Sequence, residues 1–430
     1  MKNILILNGL FFPSPSSNGV CAYKLAQELR NRGCNVTFVA DQLSESSHWM
    51  YDGFEVYGVE PSGYLKLKKE IKESKGLKKK LLEIKYKYWV KLDLGFNIFK
   101  FRFPKKRVND FFIVSKQIID AKRIDTIIAI TRPHETLKTA LKLKEIYSNM
   151  KLIAYFCDVL NDNPFPSKIR QKIYKSGEEI LYNQLFDNFY AVLLPQNYKN
   201  IFALEYPFLA NRAKYFLFPM YDSEISLKFK NNTNKKETLD QSKINIVFAG
   251  GLPKDIRPPD VLKILCEIVN KNSNIIIHFY SKGCEDELQE YKLTLNDNLI
   301  LHGIVSKQEL EEILFDSSIL LNISNKNSNL VPSKIFEYFS YAKPIINYQF
   351  IPNDPATEFI NKYPLFFNIK SYESVDIKEL LNFIENSPLE IIDKSLLDKT
   401  FYMSTPEANL DLFWDKEIIK KNISNQRSAK

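Results

Sequence analysis

"ILILNGLFFPSPSSNGVCAYKLAQELRNRGCNVTFVAD", residues 4–41, starts with a short β-rich run, crosses a Pro- and Ser-rich loop, takes up a helical period and ends in a second β-rich run. The run 4–8 reads as a buried strand, the following period as a helix capped by Gly33, and 35–41 as the next strand. Strand, helix and strand in that order form a β-α-β unit, which opens a parallel sheet. A signal peptide is the competing reading of the first residues. Asn8 and Gly9 interrupt that apolar run, and no small-residue cleavage site follows. No run of about 18 apolar residues occurs, so no membrane-spanning segment is expected.

The same grammar continues. Strands are expected at 54–60, 126–132, 151–158, 191–196 and 214–220, most of them separated by helical patterns. Composition then changes: "KFKNNTNKKETLDQSK" (228–243) is polar and charged, with Phe229 and Leu239 its large apolar residues. Beyond it strands restart at 244–250, 274–280, 298–303, 318–324 and 344–348. The expected fold class is α/β with two tandem Rossmann-like, doubly wound domains and a cleft between them. The first domain is placed at 1–225, a linker at 226–243, the second domain at 244–404, and a C-terminal helix at 405–430 returning to the first domain.

Length agrees with two domains, since 430 residues exceed what one core usually serves. A formal charge of +9, from 60 Lys and Arg against 51 Asp and Glu, suits an anionic substrate, a phospholipid surface or nucleic acid equally. Five scattered cysteines without Cys-x-x-Cys spacing argue against a disulfide framework or zinc site and fit a reducing cytoplasm.

In doubly wound domains chemistry gathers in the loops at the carboxyl ends of strands. "NLVPSKIFEYFSYAKPII" (329–346) follows such a strand and sets Lys334 and Glu337 among apolar residues. Free N–H groups near Ser333 and Lys334 at the helix start suit an anion. A capping box does not explain Glu337, because Ser333 lies four residues before it rather than three. A Lys334–Glu337 pair at i, i+3 on a solvated face is the ordinary alternative.

"VPSKIFEYFSYAKPII" resembles the donor-site signature of GT-B glycosyltransferases, especially the large retaining group numbered family four, in which a Glu at this helix position binds a nucleotide ribose. An ionised carboxylate accepts both hydroxyl protons of a vicinal diol. "FAGGLPKDIRPPDVLKIL" (248–265) is similar to the family's first donor-domain strand and glycine turn, with Gly250 and Gly251 and a basic residue near the diphosphate. Arg257, a rigid fork, is favoured over Lys254 for that residue. "LILHGIVSKQELEEILFDSSILLNIS" looks like the family's strand and "HG" turn beside the nucleotide base, with His302 read as structural. The family often has a Glu-x7-Glu pair. Here the first position is Asn329, which hydrogen-bonds sugar hydroxyls but cannot stabilise positive charge as a carboxylate does.

In the first domain, Gly19 matches the family's glycine-containing loop near the donor phosphates. His134 and Asp158, after parallel strands, are the acceptor-side candidates, with a surface turn and a helix N-cap as their ordinary readings. The resemblance implies a metal-independent, retaining transferase with no cofactor and a nucleotide-sugar donor, a UDP-sugar first. Its acceptor would be a glycan or lipid-linked acceptor in surface polysaccharide or glycolipid biosynthesis. A catalytically inactive transferase-like partner and a GT-B-fold sugar-nucleotide epimerase are the alternatives.

The insertion 64–107 is dense in lysine, with Tyr88, Trp89, Phe96, Phe99, Phe101 and Phe103. That composition suits an anionic membrane surface, which would place the protein peripherally at the inner face of the cell membrane. A solvated basic helix is the other reading. No nucleic-acid-binding module accompanies it.

Overall fold

A computed structural model describes residues 2–12, 16–42, 46–96, 105–131, 133–157, 160, 168–230, 238–326 and 331–414. The chain forms two compact units, Met1–Pro219 with Pro406–Lys430, and Met220–Thr405. Each is built on one twisted sheet.

The first sheet contains β1 (Asn3–Leu7), β2 (Asn35–Asp41), β3 (His48–Tyr51), β4 (Phe54–Val59), β5 (Thr126–Ile130), β6 (Lys151–Tyr155), β7 (Ala191–Pro195) and β8 (Lys214–Phe216), in the order β3-β4-β2-β1-β5-β6-β7-β8. Only β3 runs antiparallel, against β4. That hairpin was not anticipated from sequence; it turns at Asp52 and Gly53, both with positive φ (48° and 76°), as a tight two-residue turn requires. The helices Lys105–Lys122, Glu135–Ile146 and Lys168–Asn188 supply Phe111, Leu137, Leu143 and Leu185 to one core with the inward residues of β1, β5 and β6.

The second sheet contains β9 (Ile244–Gly251), β10 (Ile275–Lys282), β11 (Leu299–Leu301), β12 (Ile319–Ile323), β13 (Ile345–Gln349) and β14 (Phe366–Lys370), ordered β11-β10-β9-β12-β13-β14 and parallel throughout. The five strands expected here are all present, and β14 was not anticipated. Gly283 (φ +101°) is obligatory beside this sheet: a Cβ there would lie 2.3 Å from the Leu252 carbonyl oxygen.

The first stretch of the first unit ends at Pro219. Residues 226–243, read from composition as a linker, belong to the second unit where described. The cause is the pair of apolar exceptions: Phe229, in the helix Ile225–Lys230, is buried with its ring 5.3 Å from that of Phe315, and Leu239 is also buried. Lys228 pairs with Glu311 at 2.7 Å, and Thr238 Oγ1 donates to Asp316 at 2.9 Å. The helix Pro406–Asp411 joins the first unit, where Asn409 accepts from the Tyr155 hydroxyl (2.8 Å) and Asp411 pairs with Arg32 (2.9 Å). The chain leaves the helix at 412–414, and the rest of the expected final helix lies outside the described residues.

One buried ion pair fastens the end of the basic insertion. Arg107 donates to Asp41 at the end of β2, and its Nε lies 3.5 Å from Glu135, with Arg107 and Asp41 both buried. Burial raises the Asp41 carboxyl pKa, and Arg107 opposes that shift. Arg107→Met strands the Asp41 charge, so urea unfolding at pH 7 is expected to show a loss of about 3–5 kcal/mol. Asp41→Asn in the same background should restore part of it.

Candidate functional site

β9 is the first strand of the second unit, yet it lies between β10 and β12. The chain therefore winds outward from it in both directions, and the loops after β9 and β12 separate at its carboxyl end. That is the switch point where open α/β sheets bind ligands. Both loops carry expected site residues.

The loop after β9 presents Gly250, Gly251, Lys254 and Arg257. Gly251 has no positive φ, and a Cβ built on it would meet nothing within 4 Å. Neither strain nor packing within the protein calls for a glycine there, whereas a ligand approaching the backbone would. Arg257 spans the switch point: Nη1 donates to the Gly251 carbonyl (3.1 Å) and Nη2 to Asn325 Oδ1 in the loop after β12 (2.7 Å). The Lys326 N–H donates back to the Ile256 carbonyl at 2.7 Å, closing the two loops on each other. Arg257 Nε is buried with no hydrogen-bond partner, and the guanidinium forms no ion pair among the described residues. Burial pushes its pKa down, while Tyr338 and the buried Asp354 oppose that shift. Lys254 turns away and pairs with Glu287.

Past β12, the helix Lys334–Phe339 is short. Its Tyr338 hydroxyl accepts from the Ala249 N–H (2.9 Å), which docks the helix against the end of β9. Glu337 and Lys334 form the i, i+3 pair, 2.8 Å apart and largely shielded from solvent. The Ile335 and Phe336 N–H groups are engaged by the Pro332 and Ser333 carbonyls. Ser333 makes no side-chain cap. Asn329 lies outside the described residues. Asn325, Tyr338 and Asp354 were not anticipated; the position of Asn325 directly after a strand was the available signal.

No protein-family model matches the chain, and no curated protein matches it. Solved structures do. The N-terminal domain of trehalose-6-phosphate phosphatase from Candida albicans aligns at TM-score 0.60 and 13% identity over 96% of each chain. An α,α-trehalose 6-phosphate synthase from Burkholderia multivorans aligns at 0.56 and 9% over 100% of this chain and 99% of that one. WaaG, a glycosyltransferase involved in lipopolysaccharide biosynthesis, aligns at 0.55 and 12% over 96% and 99%. The chain has the GT-B fold.

The first unit of this GT-B chain repeats the switch-point arrangement. β1 lies between β2 and β5, and Asn18 Nδ2 donates across to the Thr131 carbonyl, just past β5, at 2.9 Å. The N-cap of the helix Ser17–Asn31 is Ser16, and its hydroxyl accepts from the Gly19 N–H at 3.2 Å. Gly19 is thus a buried first-turn residue with an engaged amide. His134 is half-buried in the turn between β5 and the helix Glu135–Ile146, at the N-cap position but without a side-chain cap bond. Asp158 lies outside the described residues.

Across β9, β10 and the residue after β11 the GT-B chain holds a polar relay. Asn245 Nδ2 donates to the Asp240 and Lys243 carbonyls (2.8 and 3.2 Å), which turns its Oδ1 towards His278 Nε2 at 3.0 Å. His278 therefore carries its proton on Nε2, and its Nδ1 accepts from His302 Nε2 at 3.0 Å. The His302 ring stacks on Tyr280 with centroids 4.0 Å apart. His302, read from the sequence as structural, is held by these contacts to His278 and Tyr280.

Burial, then His302, pushes the His278 pKa from 6.5 to about 4. The unfolded chain takes up this proton near pH 6.5, whereas the folded unit refuses it until about pH 4. The stability is therefore complete above pH 6.5 and declines as pH falls through that window, by up to about 3 kcal/mol. Urea midpoints measured across this range should show the slope, and His278→Gln should flatten it.

Proposed function

We propose that this GT-B protein is a glycosyltransferase that moves a sugar from a nucleotide-sugar donor, a UDP-sugar first, to a glycan or lipid-linked acceptor. The observation that carries the reading is Arg257, a largely desolvated guanidinium at a switch point with an unpartnered Nε and no counter-charge bonded to it. Such a cation is costly unless an anion completes it, and its planar fork suits a diphosphate. Gly250 and Gly251 let phosphate approach the backbone. Glu337 accepts from the ribose diol, and Lys334, already beside Glu337, adds positive charge towards the phosphates. These groups stabilise the leaving nucleoside diphosphate without a metal. In the retaining course proposed here, the departing phosphate takes the acceptor proton on the same face. Asn329 contacts sugar hydroxyls, Gly19 lies in the loop near the donor phosphates, and His134 and Asp158 are the acceptor-side candidates. A surface polysaccharide or glycolipid as product agrees with the basic helices at Gly63–Glu73 and Gly76–Phe96.

A binding protein without transferase activity is the second reading. Its support is that the Candida albicans neighbour carries the name of a phosphatase, and a fold alone does not set a reaction.

Calorimetry with UDP, ADP and GDP, alongside donor hydrolysis and transfer assays on a panel of sugar nucleotides, tests the proposal. Arg257→Lys and Glu337→Gln are expected to weaken diphosphate binding about tenfold or more, and Lys254→Ala by less than about twofold. Binding without turnover would favour the second reading. Absence of binding by all three nucleotides would remove both.

A further inference from the structure

The helix Gly76–Phe96 carries a feature that the nucleotide site does not use. Leu77, Leu81, Ile84 and Tyr88 are exposed by 78%, 60%, 53% and 68%. At 3.6 residues per turn they share an arc of about 60° on one side of the helix, so they form a continuous stripe. Isolated exposed apolar residues are ordinary on a soluble surface, whereas a continuous stripe marks an interaction face. Lys80 and Lys87 lie about 40–60° beyond one edge of the arc, and Lys78 and Lys85 the same distance beyond the other. None of these four lysines makes an ion pair among the described residues. Leu82 and Tyr86, on the opposite side, are half-buried, and the helix packs against Gly63–Glu73.

We propose that this stripe inserts into an anionic lipid surface, with the helix lying in the plane of the interface. Four large side chains would enter the acyl boundary while lysines on both flanks reach phosphate headgroups. The charge arrangement selects this occupant over a second copy, because pairing two such faces would bring lysine flanks together. Insertion in the plane also agrees with the finding that no described helix is long and apolar enough to cross a membrane. The proposal stands independently of the nucleotide reading.

Co-sedimentation of the full chain with phosphatidylcholine vesicles, with and without phosphatidylglycerol, tests it across a salt series. Wild type should bind the anionic vesicles about tenfold or more above the neutral ones at low salt, and the excess should fall as salt rises. Leu77→Gln, Leu81→Gln and Ile84→Gln together should lower partitioning at least about tenfold at every salt concentration, with the circular dichroism spectrum unchanged. Lys78→Gln, Lys80→Gln, Lys85→Gln and Lys87→Gln should instead remove the salt dependence, and Tyr88→Gln alone should give a smaller loss of the apolar kind. Wild type that ignores anionic vesicles at low salt would overturn the proposal. So would wild-type partitioning by the triple variant, or a dimer that the triple variant dissolves without any vesicle binding.

Discussion

Arg257 holds together the two loops that diverge at the carboxyl ends of β9 and β12, by donating to Gly251 on one side and Asn325 on the other. The topology creates the need for it. β9 starts the unit and is then flanked on both sides, so the chain leaves it in opposite directions and opens a gap that no helix crossover fills. A neutral side chain would close the gap as well. A guanidinium does so while keeping donors in reserve, one of them the buried and unpartnered Nε. Stability of the loops and the proposed affinity for an anion therefore depend on the same group.

The surroundings are arranged around that charge. Tyr338 docks the short helix carrying Lys334 and Glu337 onto the last residues of β9, so ribose and phosphate groups proposed to bind there meet residues fixed by backbone contacts. Asp354 is buried, its carboxyl pKa raised by burial, and it is a charge whose field reaches Arg257. It tempers the desolvated cation from a distance without bonding to it. The first unit answers the same topological problem with an uncharged side chain, Asn18 reaching Thr131 across the gap between β1 and β5.

Much of this was legible in the sequence. Parallel strands buried on both faces appear as compact apolar runs, and the span 35–41 was found as the strand Asn35–Asp41. The Asp52–Gly53 turn carried the ordinary hairpin signal, yet β3, "HWMY", offers little apolar alternation to mark a strand. Phe229 and Leu239 were noticed as exceptions in a polar segment. Composition, however, averages over the two residues that anchor it. Arg257 and Glu337 were singled out through the family resemblance, and the structure adds where they lie, Arg257 between the loops after β9 and β12 and Glu337 beside Lys334. Asn325, Tyr338 and the Asn245–His278–His302 relay were not, because their roles arise from strands far apart in sequence coming into register.

The central claim is that the switch point of the second unit, centred on Arg257, is a nucleoside-diphosphate site. A crystal structure of the chain with UDP tests this most directly. The account predicts diphosphate density within hydrogen-bond distance of Arg257 Nε and the Gly251 backbone, with the ribose hydroxyls on Glu337. A fully occupied UDP bound elsewhere, with Arg257 Nε still unpartnered, would contradict it.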